Sequence, residues 1–118
     1  MCRVNEALSD YADAVLSVVE RIPAGKVLTY GDVADRIGTG GPRQVGRIMA
    51  VYGAAVAWWR VVRADGRLLV GHEERAVRRY RSEGTPLRCA VDAQAVRLDM
   101  TRARWRPDEE PVGERRLL

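Results

Sequence analysis

Apolar residues recur at helical spacing early in the chain. Val15, Val18, Val19 and Ile22 fall at i, i+3, i+4 and i+7, the stripe of a helix with one buried face. Ser9 suits a cap and Pro23, Ala24 and Gly25 break the pattern, so a helix is predicted from Ser9 to Ile22. A short second helix follows from Thr29. Thr29 with Asp32 three residues on makes a capping-box variant, and Val33, Ala34 and Ile37 form the inner face. Gly38, Thr39, Gly40 and Gly41 then make a turn, and Pro42 stands where proline suits the first position of a helix. That third helix, about Pro42 to Tyr52, has two faces. Val45, Ile48, Met49 and Tyr52 make an apolar stripe, while Arg43, Gly46, Arg47 and Ala50 make the opposite one. Two short helices joined by a glycine turn predict a helix-turn-helix.

Beyond it, Trp59 to Arg63 and Leu68 to Val70 flank Asp65-Gly66, a strong hairpin signal. A hairpin after a helix-turn-helix is the layout of a winged helix. The alternation then returns to helical period over Glu73 to Glu83, with Glu74 and Arg78 at supporting spacing and Gly84 as terminator. Val96 to Leu98 reads as a short strand, and Trp105 as a late anchor to the core. The expected fold is mixed α/β, mostly helical, with a winged helix-turn-helix at its centre. Residues 1–107 form one domain, and no ordered structure is expected over residues 108–118.

Composition sharpens this in three places. The chain has 118 residues, no Phe and 47% apolar residues, so one core rests on aliphatic side chains, three Trp and four Tyr. The net charge is only +4, yet from Arg36 to Arg67 six arginines face one acid, Asp65. A positive field concentrated mid-chain suits a polyanion, although nineteen Arg against the single Lys26 also reflects a general bias toward arginine. Glycine in a helix interior costs about 1 kcal/mol relative to alanine, so Gly46 between Arg43 and Arg47 points to close approach by a DNA backbone or groove. Acids and arginine interrupt every apolar run of the first 25 residues, which predicts neither a signal peptide nor a membrane span; a cytoplasmic protein is expected. Cys2 and Cys89 have no CxxC spacing and no nearby His, so neither a metal site nor a disulfide framework is implied.

Three segments in order carry a family resemblance: Gly25-Lys26-Val27-Leu28-Thr29-Tyr30-Gly31-Asp32-Val33-Ala34, then Pro42-Arg43-Gln44-Val45-Gly46, then Ala57-Trp58-Trp59-Arg60-Val61-Val62. Together they resemble the DNA-binding domain of O6-alkylguanine-DNA alkyltransferases over about residues 8 to 84. Those enzymes read Pro-Cys-His-Arg-Val at the third segment, and the cysteine takes the alkyl group. Here Ala57 stands at the proline, Trp58 at the cysteine and Trp59 at the histidine. Indole has neither lone pair nor acidic proton to replace a thiolate, and the activating base is lost with it. Tryptophan at the cysteine position is the mark of the alkyltransferase-like proteins, and Arg104-Trp105-Arg106-Pro107 resembles their ending.

The resemblance implies a function without catalysis. DNA would be bound through the minor groove, O6-alkylguanine flipped and held, and the site flagged for nucleotide excision repair, with no cofactor and no metal. Arg43 matches the finger that fills the gap of the flipped nucleotide, and Tyr30 the tyrosine that crowds the target phosphate. Gly46, with Gln44 and Arg47, belongs to the helix in the groove. Trp58 and Trp59 would line the lesion pocket, with Arg60 in support and His72 near the flipped base. Flipping costs a few kcal/mol, less where pairing is already weak. There are departures. Trp59 replaces the His or Gln usual after the Trp and stands to narrow the pocket; Tyr52 replaces an asparagine; and Glu83, the family's orienting acid in Ser82-Glu83-Gly84, has no histidine left to orient and reads as a remnant. The expected partner is double-stranded DNA containing O6-alkylguanine, bound by a monomer. Two rival readings are a winged-helix transcriptional regulator and an active alkyltransferase using Cys89; the missing Cys-His pair weighs against the second.

Overall fold

The computed structural model describes residues 3–88 and 96–106, with side chains from residue 10 onward. The first helix, α1, runs Arg3–Arg21, so the chain is already helical six residues before Ser9, and Ser9 lies inside the helix instead of capping it. Ala12, Val15, Val18 and Val19 form its buried stripe, and Ile22 is buried just past its end.

Strand β1 (Leu28–Thr29) leads directly into α2 (Tyr30–Ile37). The capping box at this junction is complete: the Asp32 N–H donates to Thr29 Oγ1 at 3.0 Å and the Thr29 N–H to the Asp32 carboxylate at 3.0 Å. The turn that follows is fixed by a close approach. Gly40 has φ +79°, and a Cβ there would fall 2.2 Å from the Tyr11 hydroxyl, which donates to the Thr39 carbonyl. This tyrosine ties α1 to the turn and sets the angle at which α3 (Pro42–Tyr52) departs. Pro42 opens α3, and the Gln44 carboxamide oxygen accepts the Gly41 N–H at 2.9 Å. Val45 and Ile48 are buried with Met49 packed beside them, but Tyr52 is 41% exposed, at the end of the helix beyond the reach of the core.

The predicted hairpin does not form. Trp58–Arg60 is a 3₁₀ turn, and β2 (Val61–Val62) pairs in parallel with β1, Leu28 opposite Val61 and Thr29 opposite Val62. The Asp65-Gly66 turn exists, but the chain leaving it bridges elsewhere, Arg67 opposite Arg97. Beyond Val62 a loop with turns leads into α4 (Glu73–Glu83), which Gly84 ends in the left-handed conformation. Strands β3 (Leu87–Arg88) and β4 (Arg97–Leu98) pair antiparallel, and α5 (Met100–Ala103) follows.

Alternation along β1 and β2 joins two cores. Leu28 and Val61 face the α1–α2–α3 cluster, whereas Val27 and Val62 face a second cluster built on Ala76, Val77 and Tyr80 of α4. Trp105 is buried in the first cluster with the Arg36 guanidinium 3.9 Å above its ring, and Arg104 pairs with Asp32, so the chain end is tied to α2. The architecture is the mostly helical helix-turn-helix class read from the sequence. Cys2, Cys89 and residues 108–118 lie outside the described residues, and with them the cysteine rival and the tail.

Candidate nucleic-acid interface and base pocket

The face of α3 opposite the core is open. Arg43, Gln44, Arg47 and Ala50 are exposed, and Gly46 is half-buried. A Cβ at Gly46 would meet nothing within 4 Å, so nothing inside the protein requires glycine there. Gly46→Ala is expected to stabilise the fold by about 0.5–1 kcal/mol in urea unfolding while weakening DNA binding. Greater stability with unchanged DNA affinity would remove the close-approach assignment.

Behind this helix lies a cleft of about 520 Å³, within the range of about 300–1,000 Å³ common for ligand pockets. Gly46 and Ala50 of α3 line it together with Tyr30, Trp58, Trp59, His72, Arg75 and Tyr80. The Trp58 and Trp59 rings meet edge to face, centroids 5.6 Å apart and planes at 88°, a favoured aromatic geometry. His72 approaches Trp58 with centroids 5.8 Å apart. Trp59 lines the cleft with its indole N–H hydrogen-bonded to Glu83.

That bond revises the reading of Glu83 as a remnant. The Trp59 Nε1–H donates to Glu83 Oε2 at 2.9 Å, Arg60 donates through Nη2 at 2.7 Å and Nε at 3.2 Å, and the Gly25 N–H donates at 3.2 Å. The aromatic donor to this carboxylate is an indole N–H. Arg60 also donates to the Ile22 carbonyl at 2.9 Å; it does not line the cleft but ties the Trp58–Arg60 turn to the end of α1. The Tyr80 hydroxyl fixes the same turn, donating to the Trp59 carbonyl at 2.6 Å.

Electrostatics follow from these contacts. Burial pushes both tyrosine hydroxyls up; the positive charge of Arg63 opposes this at Tyr30, whereas Tyr30 and Glu83 add to it at Tyr80. Tyr30 thus stays a neutral donor lining the cleft. Burial raises the Glu83 carboxyl, but hydrogen bonds from Arg60, Trp59 and Gly25 outweigh it and hold the group below its ordinary value. Asp32 behaves likewise under Arg104 and Thr29. A depressed carboxyl contributes stability that is present above its unfolded value, about 4, and lost as pH falls through the folded one. The melting temperature should therefore fall on the acid side of about pH 4.5, and Glu83→Gln should flatten that fall. An acid limb identical in wild type and variant would contradict the assignment.

Of the residues singled out in the sequence, Tyr30, Gly46, Trp58, Trp59 and His72 meet at the cleft, while Arg43, Gln44 and Arg47 stand on the exposed α3 face beside it. Arg75 escaped that reading. It lies one helical turn after His72, contacts His72 Nδ1 and sets its guanidinium 5.8 Å from the Trp58 ring centroid. Among the described residues no group of three or more His, Cys, Asp or Glu side chains could hold a metal ion.

A helix-turn-helix with an arginine-bearing outer helix and a cleft beside it is the arrangement of a DNA-binding domain. Residues 10–85 match the family model described as 6-O-methylguanine DNA methyltransferase, DNA binding domain, and the chain belongs to this family. Its relatives place it among the alkyltransferase-like proteins. It is 28% identical over 98 residues to a DNA base-flipping protein of Vibrio parahaemolyticus, a match covering 79% of this chain and 93% of that one. Its fold is similar to S. pombe Atl1 in complex with damaged DNA containing O6-carboxymethylguanine, with TM-score 0.71, 28% identity, and 84% of this chain and 97% of that chain covered. A variant of Mycobacterium tuberculosis OGT is similar over 70% of this chain and 52% of its own, with TM-score 0.57 and 30% identity.

Proposed function

We propose that this protein binds duplex DNA with α3 in the minor groove, rotates an O6-alkylguanine into the cleft behind that helix, and holds it without removing the alkyl group. The observation that carries this reading is the cleft itself. It is lined by Trp58, at the position where alkyltransferases keep their cysteine, and Trp59 takes the histidine position with its N–H committed to Glu83. No thiol or imidazole stands at those two positions, so the pocket can surround an alkyl group but cannot accept it. Support comes also from the open α3 face, where Arg43 can enter the stack and Gly46 lets the backbone approach. Tyr30, which lines the same cleft, would crowd the phosphate of the turned nucleotide.

A complex that persists is a signal for other proteins, and nucleotide excision repair is the pathway this reading assigns. The protein would act as a monomer in the cytoplasm, on nucleoid DNA. The non-catalytic half of the proposal is tested by mass. After prolonged incubation with excess O6-methylguanine duplex, intact mass of both protein and oligonucleotide should be unchanged. A gain of one methyl on the protein, matched by its loss from the DNA, would establish an active alkyltransferase instead.

A further inference from the structure

The charged side chains that line the cleft are arginines. Arg63, Arg67 and Arg75 reach its wall, and no carboxylate does among the described residues. The three are not equivalent. Arg67 pairs with Asp65 at 3.5 Å, and Arg63 lies close enough to the same carboxylate to lower its pKa, so both are partly neutralised on the loop. Arg75 sits on α4, with its guanidinium against the Trp58 ring and His72 Nδ1, and no carboxylate among the described residues pairs with it.

We propose that Arg75 makes this pocket selective for O6 substituents that carry a negative charge, such as a carboxymethyl group, over neutral ones of the same size. The inference rests on the function proposed above, because it takes Trp58 as the wall that meets the O6 substituent. A substituent ending at Trp58 ends beside Arg75, since the guanidinium is 5.8 Å from the centre of that ring. A carboxylate there accepts charge-assisted hydrogen bonds from the planar guanidinium. A methyl group gains nothing from the charge. In duplex DNA the backbone phosphates attract all the arginines alike, so the selectivity appears only between lesions compared at equal salt.

The experiment measures Kd by fluorescence anisotropy for four duplexes of one sequence at one salt concentration. They contain guanine, O6-methylguanine, O6-carboxymethylguanine and O6-carbamoylmethylguanine, the neutral amide of the third. Wild type should prefer the carboxylate to the amide by about tenfold, as one charge-assisted hydrogen bond implies. The ratio should fall to about one in Arg75→Gln and survive in part in Arg75→Lys, which keeps the charge without the fork. Arg75 is exposed, so both variants should fold, and circular dichroism checks this. Equal binding of carboxylate and amide by wild type, or a ratio that persists in Arg75→Gln, would overturn the proposal while leaving lesion recognition intact. Binding of all three lesions no tighter than guanine would instead overturn the function on which it rests.

Discussion

Glu83→Ala should cost about 2–3 kcal/mol and lower the melting temperature by on the order of 10–15 °C. The carboxylate accepts hydrogen bonds from the Trp59 indole, the Arg60 guanidinium and the Gly25 N–H, and its removal leaves all three without that acceptor. Arg60 and Glu83 are 19% and 12% exposed at their side chains, so the abandoned guanidinium would stay largely out of water. The figure is set below that for a fully buried pair because some solvent reaches both groups. Lesion affinity should fall as well, because the Trp58 ring stands edge to face on the Trp59 ring that Glu83 holds. Glu83→Gln keeps an acceptor and should lie between wild type and alanine. Thermal unfolding followed by circular dichroism measures this directly; a melting temperature unchanged in Glu83→Ala would show that the acid carries no structural weight.

Arg43→Ala should abolish most of the preference for lesion DNA while sparing much of the general DNA affinity. Arg43 is exposed near the start of α3, one turn before Gly46 at the cleft. A planar cation inserted between base pairs replaces the stacking lost when a nucleotide turns out, worth about 2 kcal/mol or thirtyfold in Kd when desolvated. Plain duplex offers no vacated position, so there the side chain contributes only its charge toward phosphate, an effect shared with Arg47 and diminished by salt. Titrations of lesion and plain duplexes with both proteins separate the two contributions. Equal losses on both duplexes would reduce Arg43 to a phosphate contact.

The parts of the fold legible in the sequence are those with local chemical marks. Thr29 and Asp32 announce the start of α2, Pro42 the start of α3 and Gly84 the end of α4, because each solves a backbone problem within three residues of itself. The pairing of β1 with β2 left no such mark. Leu28 and Val61 are parallel partners 33 residues apart, and parallel strands need no tight turn that a sequence could display. Asp65-Gly66 signalled a turn correctly, but a turn does not say which strand the departing chain will meet, and here Arg67 meets Arg97. Ser9 resembled a cap because the stripe beginning at Val15 was the first strong apolar signal; the helix continues upstream of Ser9.

At the site, Trp58, Trp59 and Tyr30 were legible as departures from or matches to a motif, and they converge on one cleft. Glu83 was misread for an instructive reason. Its partner was sought as a histidine, whereas the requirement of the carboxylate is an N–H donor, and the indole of Trp59 supplies one. Arg75 was overlooked because an arginine on a polar helix face carries no signal of its own. Its position one turn beyond His72 becomes informative only when both are seen against the Trp58 ring.

The most direct test of the account is a comparison at fixed salt of two duplexes that differ in a single O6-methyl group, read by fluorescence anisotropy on the unmodified protein. The account predicts tighter binding to the methylated duplex. Equal affinities would contradict it and leave a helix-turn-helix protein that binds DNA without sensing the lesion.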